Sequence, residues 1–327
     1  MGELNETQRY LIDEHIEEYQ DGLISRRELL RRVTLISGSA ALGAAIVAAC
    51  GPAPARTSPT PTVAVATATP TVAPTVGPFA TPPATATTDG VTVKPDDPRI
   101  TVSKPEVKGT DGASLMAYMA RPAGTARVPG IVVIHENRGQ TPHIQDVVRR
   151  AATAGFAAIN IDLAARAGGY EKLTDQAAYN AVLGNLTPAG KLADHNASIA
   201  YLKGQTNGLI GITGFCFGGG EVWSILTALT PDVKAAVPFY GPQPTNYTEL
   251  AKTKAAVMAI YAELDTRITS SSQQMDQELT RAGVPHEMVT YPGVNHAFHN
   301  DTGTRYDAAA AQKAWVATIG WFRKYLV

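Results

Sequence analysis

The amino-acid sequence predicts an α/β fold in which a mostly parallel sheet is covered by helices on both faces. Short, almost continuous apolar runs such as Ile131–His135 and Ala256–Ala262 have the length and composition of strands buried on both faces. Longer segments with helical periodicity, such as His143–Ala154, lie between these runs. This alternation is typical of parallel strands joined by helical crossovers.

The predicted elements follow this alternation along the second part of the chain. The predicted strands are Ile100–Lys108, Leu115–Arg121, Ile131–His135, Ala157–Ile161, Ile210–Gly214, Val233–Tyr240, Ala256–Ala262 and His286–Thr290. The predicted helices are His143–Ala154, Asp194–Lys203, Gly218–Thr230, Ser270–Ala282 and Ala308–Tyr325. The first two strands are expected to form an antiparallel pair around the turn Thr110-Asp111-Gly112.

Length, composition and charge limit the function. Of the 327 residues, 44% are apolar, which is ordinary for a globular protein. Lys and Arg number 28 and Asp and Glu number 29, which gives a formal net charge of −1. Because nucleic-acid-binding proteins normally carry a basic excess, we expect no nucleic-acid partner. Changes in composition divide the chain into residues 1–50, 51–90 and 91–327.

Residues 1–50 have the pattern of an export signal. Ser25–Arg31 contains an arginine pair followed by leucines and a further basic residue, which resembles a twin-arginine signal. The uncharged stretch Val33–Ala49 follows, and a basic region before a short apolar region is the order found in signal peptides. The segment predicts recognition by the twin-arginine export machinery, with an uncleaved anchor helix as the alternative.

The apolar stretch ends in Val47-Ala48-Ala49-Cys50, which resembles the lipobox of bacterial lipoproteins. Small side chains fit the signal peptidase there, and the cysteine thiol receives the lipid. We therefore expect Cys50 to be lipidated and to anchor the protein in the membrane. The expected location is the outer face of the cytoplasmic membrane, or the protein is secreted or periplasmic. The alternative is a buried cysteine that ends a helix.

Residues 51–90 consist almost entirely of Pro, Thr, Ala, Val and Gly. Such a segment has too little large apolar surface to offset the entropy that it would lose on ordering. We expect a disordered, partly polyproline-like linker. The remaining residues 91–327 are long enough to form one catalytic domain.

The most informative chemical motif is Gly214–Gly220, which reads Gly-Phe-Cys-Phe-Gly-Gly-Gly between a predicted strand and a predicted helix. This is the G-x-S-x-G nucleophile elbow with cysteine in place of serine. Glycines permit the strained turn from which Cys216 projects. We expect the helix N-terminus to favour a thiolate, and the Phe217 N–H to point at the developing oxyanion. The glycine spacing does not match a phosphate-binding loop, and the alternative is a buried structural cysteine.

An acid and a base follow this cysteine in the chain order nucleophile, acid, histidine. Asp265 comes just after the predicted strand Ala256–Ala262, where the sites of α/β sheets collect. His296 lies in the loop after the last predicted strand and can shuttle a proton while the carboxylate fixes its tautomer. Glu263 is the competing acid. His299 is interpreted as a surface histidine, because two histidines without a third ligand are a weak metal signal.

A second polar motif, His135–Gly139, ends another buried strand and reads His-Glu-Asn-Arg-Gly. The corresponding loop supplies the second oxyanion donor in sites of this type, and the Asn137 N–H is the candidate. Glu136 either faces the thiol or forms a local salt bridge with Arg138. The residues themselves leave both interpretations open.

Residues 100–327 resemble the dienelactone hydrolase family, whose members are carboxymethylenebutenolidase-like α/β-hydrolases. The motifs that carry the resemblance are His135–Gly139, Gly214–Gly219, the Asp265 loop and Gly293–Phe298.

This resemblance implies an α/β-hydrolase fold and a catalytic triad of Cys216, Asp265 and His296. It also implies that Glu136 helps to deprotonate the thiol when substrate binds. The implied reaction is hydrolysis of a small-molecule ester or lactone through an acyl-enzyme, with no metal and no organic cofactor.

One part of the family pattern is missing from the sequence. Family members active on dienelactone hold the substrate carboxylate with arginines, one of them shortly after the catalytic histidine. Ala297–Asp301 contains no arginine, and the region before the nucleophile offers Arg166 and several lysines. The dienelactone substrate is therefore not carried over, and His299 and Arg138 are the candidates to replace those arginines. The alternative functions are a non-catalytic ligand-binding surface lipoprotein and a thioesterase or peptidase on the same fold.

Overall fold

The computed structural model describes residues 4–51, 92–228, 232–244 and 246–327. The predicted linker, residues 51–90, therefore lies outside the described residues except for Gly51. A single sheet of eight strands forms the centre of the domain. The strands are β1 (Ile100–Ser103), β2 (Tyr118–Pro122), β3 (Gly130–Ile134), β4 (Ala157–Asn160), β5 (Ile210–Phe215), β6 (Val233–Phe239), β7 (Ala256–Ala262) and β8 (His286–Tyr291).

The strands are arranged in the order β1-β2-β4-β3-β5-β6-β7-β8. β2 pairs antiparallel with both β1 and β4, and all the other neighbours are parallel. β5 and β7 are buried along their whole length, as expected when helices cover both faces of a parallel sheet. The predicted α/β-hydrolase fold is confirmed. The carboxyl ends of β3, β5 and β7 meet at one edge, where the polar motifs begin.

The helices surround this sheet and include all five that the sequence predicts. They are α1 (Glu6–Gln20), α2 (Arg26–Ser37), α3 (Ala40–Ala49), α4 (Pro142–Thr153), α5 (Gly169–Lys172), α6 (Gln176–Asn185), α7 (Pro188–Gln205), α8 (Phe217–Thr227), α9 (Thr266–Thr269), α10 (Ser272–Ala282) and α11 (Ala308–Tyr325). α7 begins before the predicted Asp194 because Thr187 caps its N-terminus and Pro188 occupies the first turn.

The opening pair of strands is shorter than predicted. β1 ends at Ser103, which pairs with Met119 of β2, because Pro105 cannot donate a ladder hydrogen bond. Around the predicted turn, only an isolated bridge joins Lys108 to Ser114. The antiparallel pairing is confirmed, but the tight hairpin around residues 110–112 is not continuous with it.

The N-terminal residues form three helices that lie on the domain. Leu11 of α1 and Val33 of α2 are fully buried, and Arg31 of α2 pairs with Asp175, the residue that caps α6. α2 ends at Gly38, whose φ of +67° is a left-handed helix cap. No helix within the described ranges is both long enough and apolar enough to span a bilayer. The export role of residues 1–50 stays a prediction.

Candidate active site

Cys216 lies in the turn between β5 and α8 with backbone angles of φ +58° and ψ −121°. A non-glycine residue rarely adopts a positive φ, so the strain expected at a nucleophile elbow is present here. The neighbouring glycines are required because a Cβ at Gly214 would lie 2.2 Å from the Gly218 carbonyl oxygen. A Cβ at Gly218 would lie 2.6 Å from the His135 carbonyl oxygen. The turn therefore fixes the thiol at the N-terminus of α8.

His296 lies between Cys216 and Asp265. Its Nδ1 is 2.6 Å from Oδ2 of Asp265, and one of its ring nitrogens lies within 4.8 Å of the Cys216 Sγ. Because Nδ1 donates to Asp265, Nε2 is the nitrogen that is left to accept a proton from the thiol. All three side chains are buried. The structure thus brings together the three residues that the sequence indicates, from the ends of three separate strands.

The charges of this group act on one another. Burial raises the pKa of the Cys216 thiol and Glu14 raises it further, whereas His296 lowers it. Burial lowers the pKa of His296, but Glu14, Cys216 and Asp265 together raise it well above its ordinary value. Burial also raises the pKa of Asp265, yet the neighbouring His296 leaves it below its ordinary value. In the intact chain, burial and Glu14 therefore oppose the lowering of the thiol pKa that a helix N-terminus favours.

The contacts of Glu263 and His299 test what the sequence predicted for these two neighbours of the site. Glu263 accepts a hydrogen bond of 2.7 Å from the Gly293 N–H and so holds the loop that precedes His296. His299 is not a surface residue, and that prediction was wrong. It is fully buried and stacks on Phe215 with ring centroids 4.9 Å apart. Burial lowers the pKa of His299 well below its ordinary value, so it packs as a neutral ring and is unsuited to holding an anion.

Glu136 is buried at the end of β3 and lines the same small cavity as Cys216. One of its carboxylate oxygens accepts a 2.5 Å hydrogen bond from the Asn300 side chain. The other oxygen has no hydrogen-bond partner among the residues that the structure describes. Arg138 pairs with Glu18 at 3.5 Å. Within the described residues the local Glu136–Arg138 salt bridge is absent, and one oxygen of Glu136 is free to act on the thiol or its substrate.

The two predicted oxyanion donors lie beside the nucleophile. Phe217 is the first residue of α8, so its N–H has no acceptor within the helix. Asn137, in the loop after β3, lines the cavity that contains Cys216. The role of these two amides stays a prediction.

Comparison with known proteins shows the family to which the chain belongs. The model of the dienelactone hydrolase family matches residues 115–326, which include the whole site. The chain belongs to the dienelactone hydrolase family. A relative from Methylorubrum extorquens, named "Putative carboxymethylenebutenolidase", is 35% identical over 223 residues, which are 64% of this chain and 76% of the relative.

Two further relatives extend the match. A protein of Bradyrhizobium named "Probable 2-oxo-3-(5-oxofuran-2-ylidene)propanoate lactonase" is 31% identical over 235 residues, which are 67% of this chain and 92% of that protein. The solved structure entitled "Crystal Structure of Putative Dienelactone Hydrolase from Klebsiella pneumoniae subsp. pneumoniae MGH 78578" is 28% identical. It has a TM-score of 0.64 and covers 69% of this chain and 99% of its own chain. The match to the family model begins at residue 115, after the N-terminal helices.

In this member of the dienelactone hydrolase family, the helix α1 lies directly over the site. The Tyr10 hydroxyl is 3.2 Å from the Cys216 Sγ. Oε2 of Glu14 is 3.8 Å from the same sulfur and 3.3 Å from Nε2 of His296. Sequence reasoning missed both residues, because nothing in a polar helix-prone segment indicates which distant surface it will cover.

Three arginines of the domain surround the site. Each pairs with an acidic residue of α1 or with Asp21, the residue that caps the C-terminus of α1. The pairs are Arg267 with Glu14 and Glu17, Arg138 with Glu18, and Arg305 with Asp21. Arg267 lies two residues after Asp265 and not in the segment after His296, where family members active on dienelactone carry an arginine. Arg166 pairs instead with Asp111 and Asp194.

α1 leaves little room at the nucleophile. The cavity lined by Glu14, Glu136, Cys216 and His296 has a volume of about 90 Å³, whereas ligand pockets usually measure roughly 300–1,000 Å³. A larger cavity of about 810 Å³ lies between α1 and α8, and Tyr10 and Phe217 are among its lining residues. The space that a substrate needs therefore exists beside the elbow but is covered by α1.

Glu14, Cys216 and His296 also form a group with the residue types of a metal site, since their ligand atoms lie within 4.8 Å of one another. Two of the three residues belong to the Cys216–Asp265–His296 group. A metal bound by them would occupy both the nucleophile and the base, so it would block covalent catalysis at this cysteine.

Proposed function

We propose that this chain hydrolyses carboxylic esters or lactones through an acyl-enzyme on Cys216. The observation that carries the proposal is the position of His296, whose Nδ1 contacts Asp265 and one of whose ring nitrogens lies within 4.8 Å of the Cys216 Sγ. A nucleophile, a base that accepts its proton and an acid that orients the base are the parts required for acyl transfer. The membership of a hydrolase family supports the same reaction class.

In the first half of the reaction, His296 takes the thiol proton and the Cys216 sulfur attacks the carbonyl carbon of the substrate. The carbonyl π electrons move to oxygen, and the N–H groups of Phe217 and Asn137 stabilise the resulting oxyanion. When the tetrahedral intermediate collapses, the carbon–oxygen bond of the ester breaks and protonated His296 gives its proton to the leaving oxygen. Asp265 keeps the ring in the required orientation and stabilises its positive charge.

In the second half, His296 accepts a proton from water while the water oxygen attacks the thioester carbon. Collapse of this second intermediate breaks the carbon–sulfur bond, and the proton returns to the Cys216 sulfur. Glu136 lies in the same cavity, and one of its oxygens has no hydrogen-bond partner in the described part of the chain. We assign to this carboxylate the tuning of the thiol when substrate enters.

The substrate we propose carries an anionic group beside the ester or lactone. Arg138, Arg267 and Arg305 all lie around the cavity or against α1 above it. An arginine guanidinium binds a carboxylate through paired hydrogen bonds, which positions the reacting carbonyl as well as increasing affinity. We propose that these arginines replace the arginine that is absent from the segment after His296.

A panel of four substrates tests the reaction class. We expect the chain to hydrolyse p-nitrophenyl acetate and a carboxylate-bearing lactone, and to leave a peptide uncleaved. A thioester is included because thioesterase activity is the second candidate on the same fold. The panel uses the wild-type chain and the Glu14→Gln variant, since α1 narrows the pocket. Faster turnover of the thioester than of both oxygen esters would refute the proposal, and no turnover of any substrate would favour a binding protein.

We also propose that residues 1–50 direct export and that Cys50 becomes a lipidated N-terminus. The arginine pair Arg26-Arg27 is exposed at the start of α2, where an export receptor can reach it, and Cys50 follows the small residues at the end of α3. We expect the mature protein, isolated from a bacterium with this export route, to begin at a lipid-modified Cys50. Mass spectrometry of the N-terminal peptide measures this, and an intact Met1 start in the membrane fraction would contradict it.

A further inference from the structure

We propose that α1 is an intramolecular inhibitor of this hydrolase, which holds the Glu14 carboxylate against Cys216 and His296 and so restricts the entry of substrate. The inference rests on the proposed role of Cys216 as the nucleophile. It concerns a segment that lies outside the residues matched by the family, which begin at residue 115.

The Glu14 carboxylate lies between the nucleophile and the base, where the reacting group of a substrate would bind. Its Oε2 lies 3.8 Å from the Cys216 sulfur and 3.3 Å from Nε2 of His296, and its Oε1 accepts a hydrogen bond from Arg267. A carboxylate between nucleophile, base and arginine resembles the acid that the proposed reaction releases. A carboxylate carbon is a poor acylating centre and here belongs to a folded helix, so the contact blocks the site without reacting.

The same carboxylate lowers the reactivity of the thiol. Only the thiolate attacks a carbonyl, so a higher thiol pKa means a smaller reactive fraction at neutral pH. Glu14 is second only to burial among the causes that raise the pKa of Cys216. Tyr10 adds a steric barrier, with its hydroxyl 3.2 Å from the sulfur. α1 therefore covers the nucleophile and disfavours its active form.

α1 is held in this position by charge and by packing. The acidic residues of α1 and its cap pair with Arg138, Arg267 and Arg305 of the domain. Leu11 is fully buried, and the Nε2 of His15 lies 2.9 Å from the Asn180 side chain of α6. Opposite charges line the two sides of the contact, so α1 fits this surface in the register that places Glu14 at the thiol.

The position of α1 connects the activity of the hydrolase to the proposed removal of the N-terminal segment. A cut before Cys50, as proposed above for export, would remove residues 1–49 and with them α1, α2 and α3. The same cut would free the three arginines to bind an anionic substrate and open the larger cavity beside α8. The hydrolase would then reach its full activity only after the chain has been processed.

The rate at which iodoacetamide alkylates Cys216 tests the inference, with mass spectrometry of the Cys216 peptide as the readout. In the full-length Glu14→Gln variant we expect this rate at neutral pH to rise about tenfold. Because Glu14 raises the pKa of Cys216, loss of its charge should also shift the rate-against-pH profile to lower pH. The matched control is Asp96→Asn, which removes one charge from an exposed residue far along the chain from α1 and should leave rate and profile unchanged.

A second variant weakens the docking of α1 from its exposed end. Asp21→Arg places a positive charge against Arg305 in place of their ion pair, and we expect Cys216 alkylation to rise at least threefold. Its control, Asp96→Arg, makes the same charge change on an exposed residue far along the chain from α1. Thermal melting checks that all variants remain folded.

The outcomes separate this inference from the proposed function, since alkylation requires no substrate. Faster alkylation in both test variants without any ester hydrolysis would support inhibition by α1 and refute the hydrolase. Alkylation rates within threefold of the wild-type rate in both variants would overturn the inference, whether or not the chain hydrolyses esters.

Discussion

The Cys216→Ala variant should hydrolyse p-nitrophenyl acetate with a kcat/KM at least about 10³-fold lower than that of the parent chain. Alanine fits the space of the cysteine, but it leaves no atom that can form the thioester. Neither His296 nor Glu136 replaces this function, because both act on the sulfur or on a water that attacks the thioester. We expect the loss in both the wild-type and the Glu14→Gln backgrounds, measured by release of p-nitrophenol.

Cys50→Ala is the matched control for this experiment. Cys50 is half-buried at the end of α3, and its thiol donates to the Ile46 carbonyl oxygen rather than to any group of the site. Its removal should leave hydrolysis unchanged. If Cys216→Ala retained more than a tenth of the parent kcat/KM while Cys50→Ala lost activity, the nucleophile would have been assigned wrongly.

The second large effect is expected for His296→Gln, which should lower kcat by about 10³-fold or more. Glutamine can accept a hydrogen bond at this position but cannot take the thiol proton. His296 also lowers the pKa of Cys216, so its loss should raise that pKa. The pH profile of Cys216 alkylation should therefore move to higher pH, opposite in direction to the shift expected for Glu14→Gln.

The control for this variant is His286→Gln. His286 lies on β8, where its two nitrogens contact the Val284 carbonyl oxygen and Asp276, away from the site. We expect neither kcat nor the alkylation profile to change. A His296→Gln enzyme that kept its kcat, or whose profile moved to lower pH, would show that His296 is not the base for Cys216.

The sequence predicts the sheet and the Cys216 turn well because both depend on local patterns. β7 and α11 begin and end at the predicted residues, since each is a long periodic or apolar run with clear ends. The glycines around Cys216 are required by backbone contacts of 2.2 to 2.6 Å. Because these contacts are with backbone atoms, a side chain cannot be accommodated at these positions. The glycine motif can therefore be recognised from the sequence without coordinates.

The position of α1 over the site could not be predicted from the sequence, because it depends on pairs of residues that are far apart in the chain. Glu14 and Arg267 are separated by more than two hundred residues, and each looks like an ordinary charged residue in its own segment. Their importance arises from the docking of α1, which no local periodicity encodes. His299 was misjudged for a related reason, since only the fold shows that the loop after His296 packs against Phe215.

Identification of the residue that becomes acylated tests the central claim most directly. The Glu14→Gln chain is mixed with p-nitrophenyl acetate, quenched with acid during turnover, and digested for mass spectrometry. We predict one additional acetyl group on the peptide that contains Cys216, lost again as the substrate is exhausted and absent from the Cys216→Ala chain. Turnover with no acetyl group on Cys216, or with a transient acetyl group on a different residue, would contradict the account.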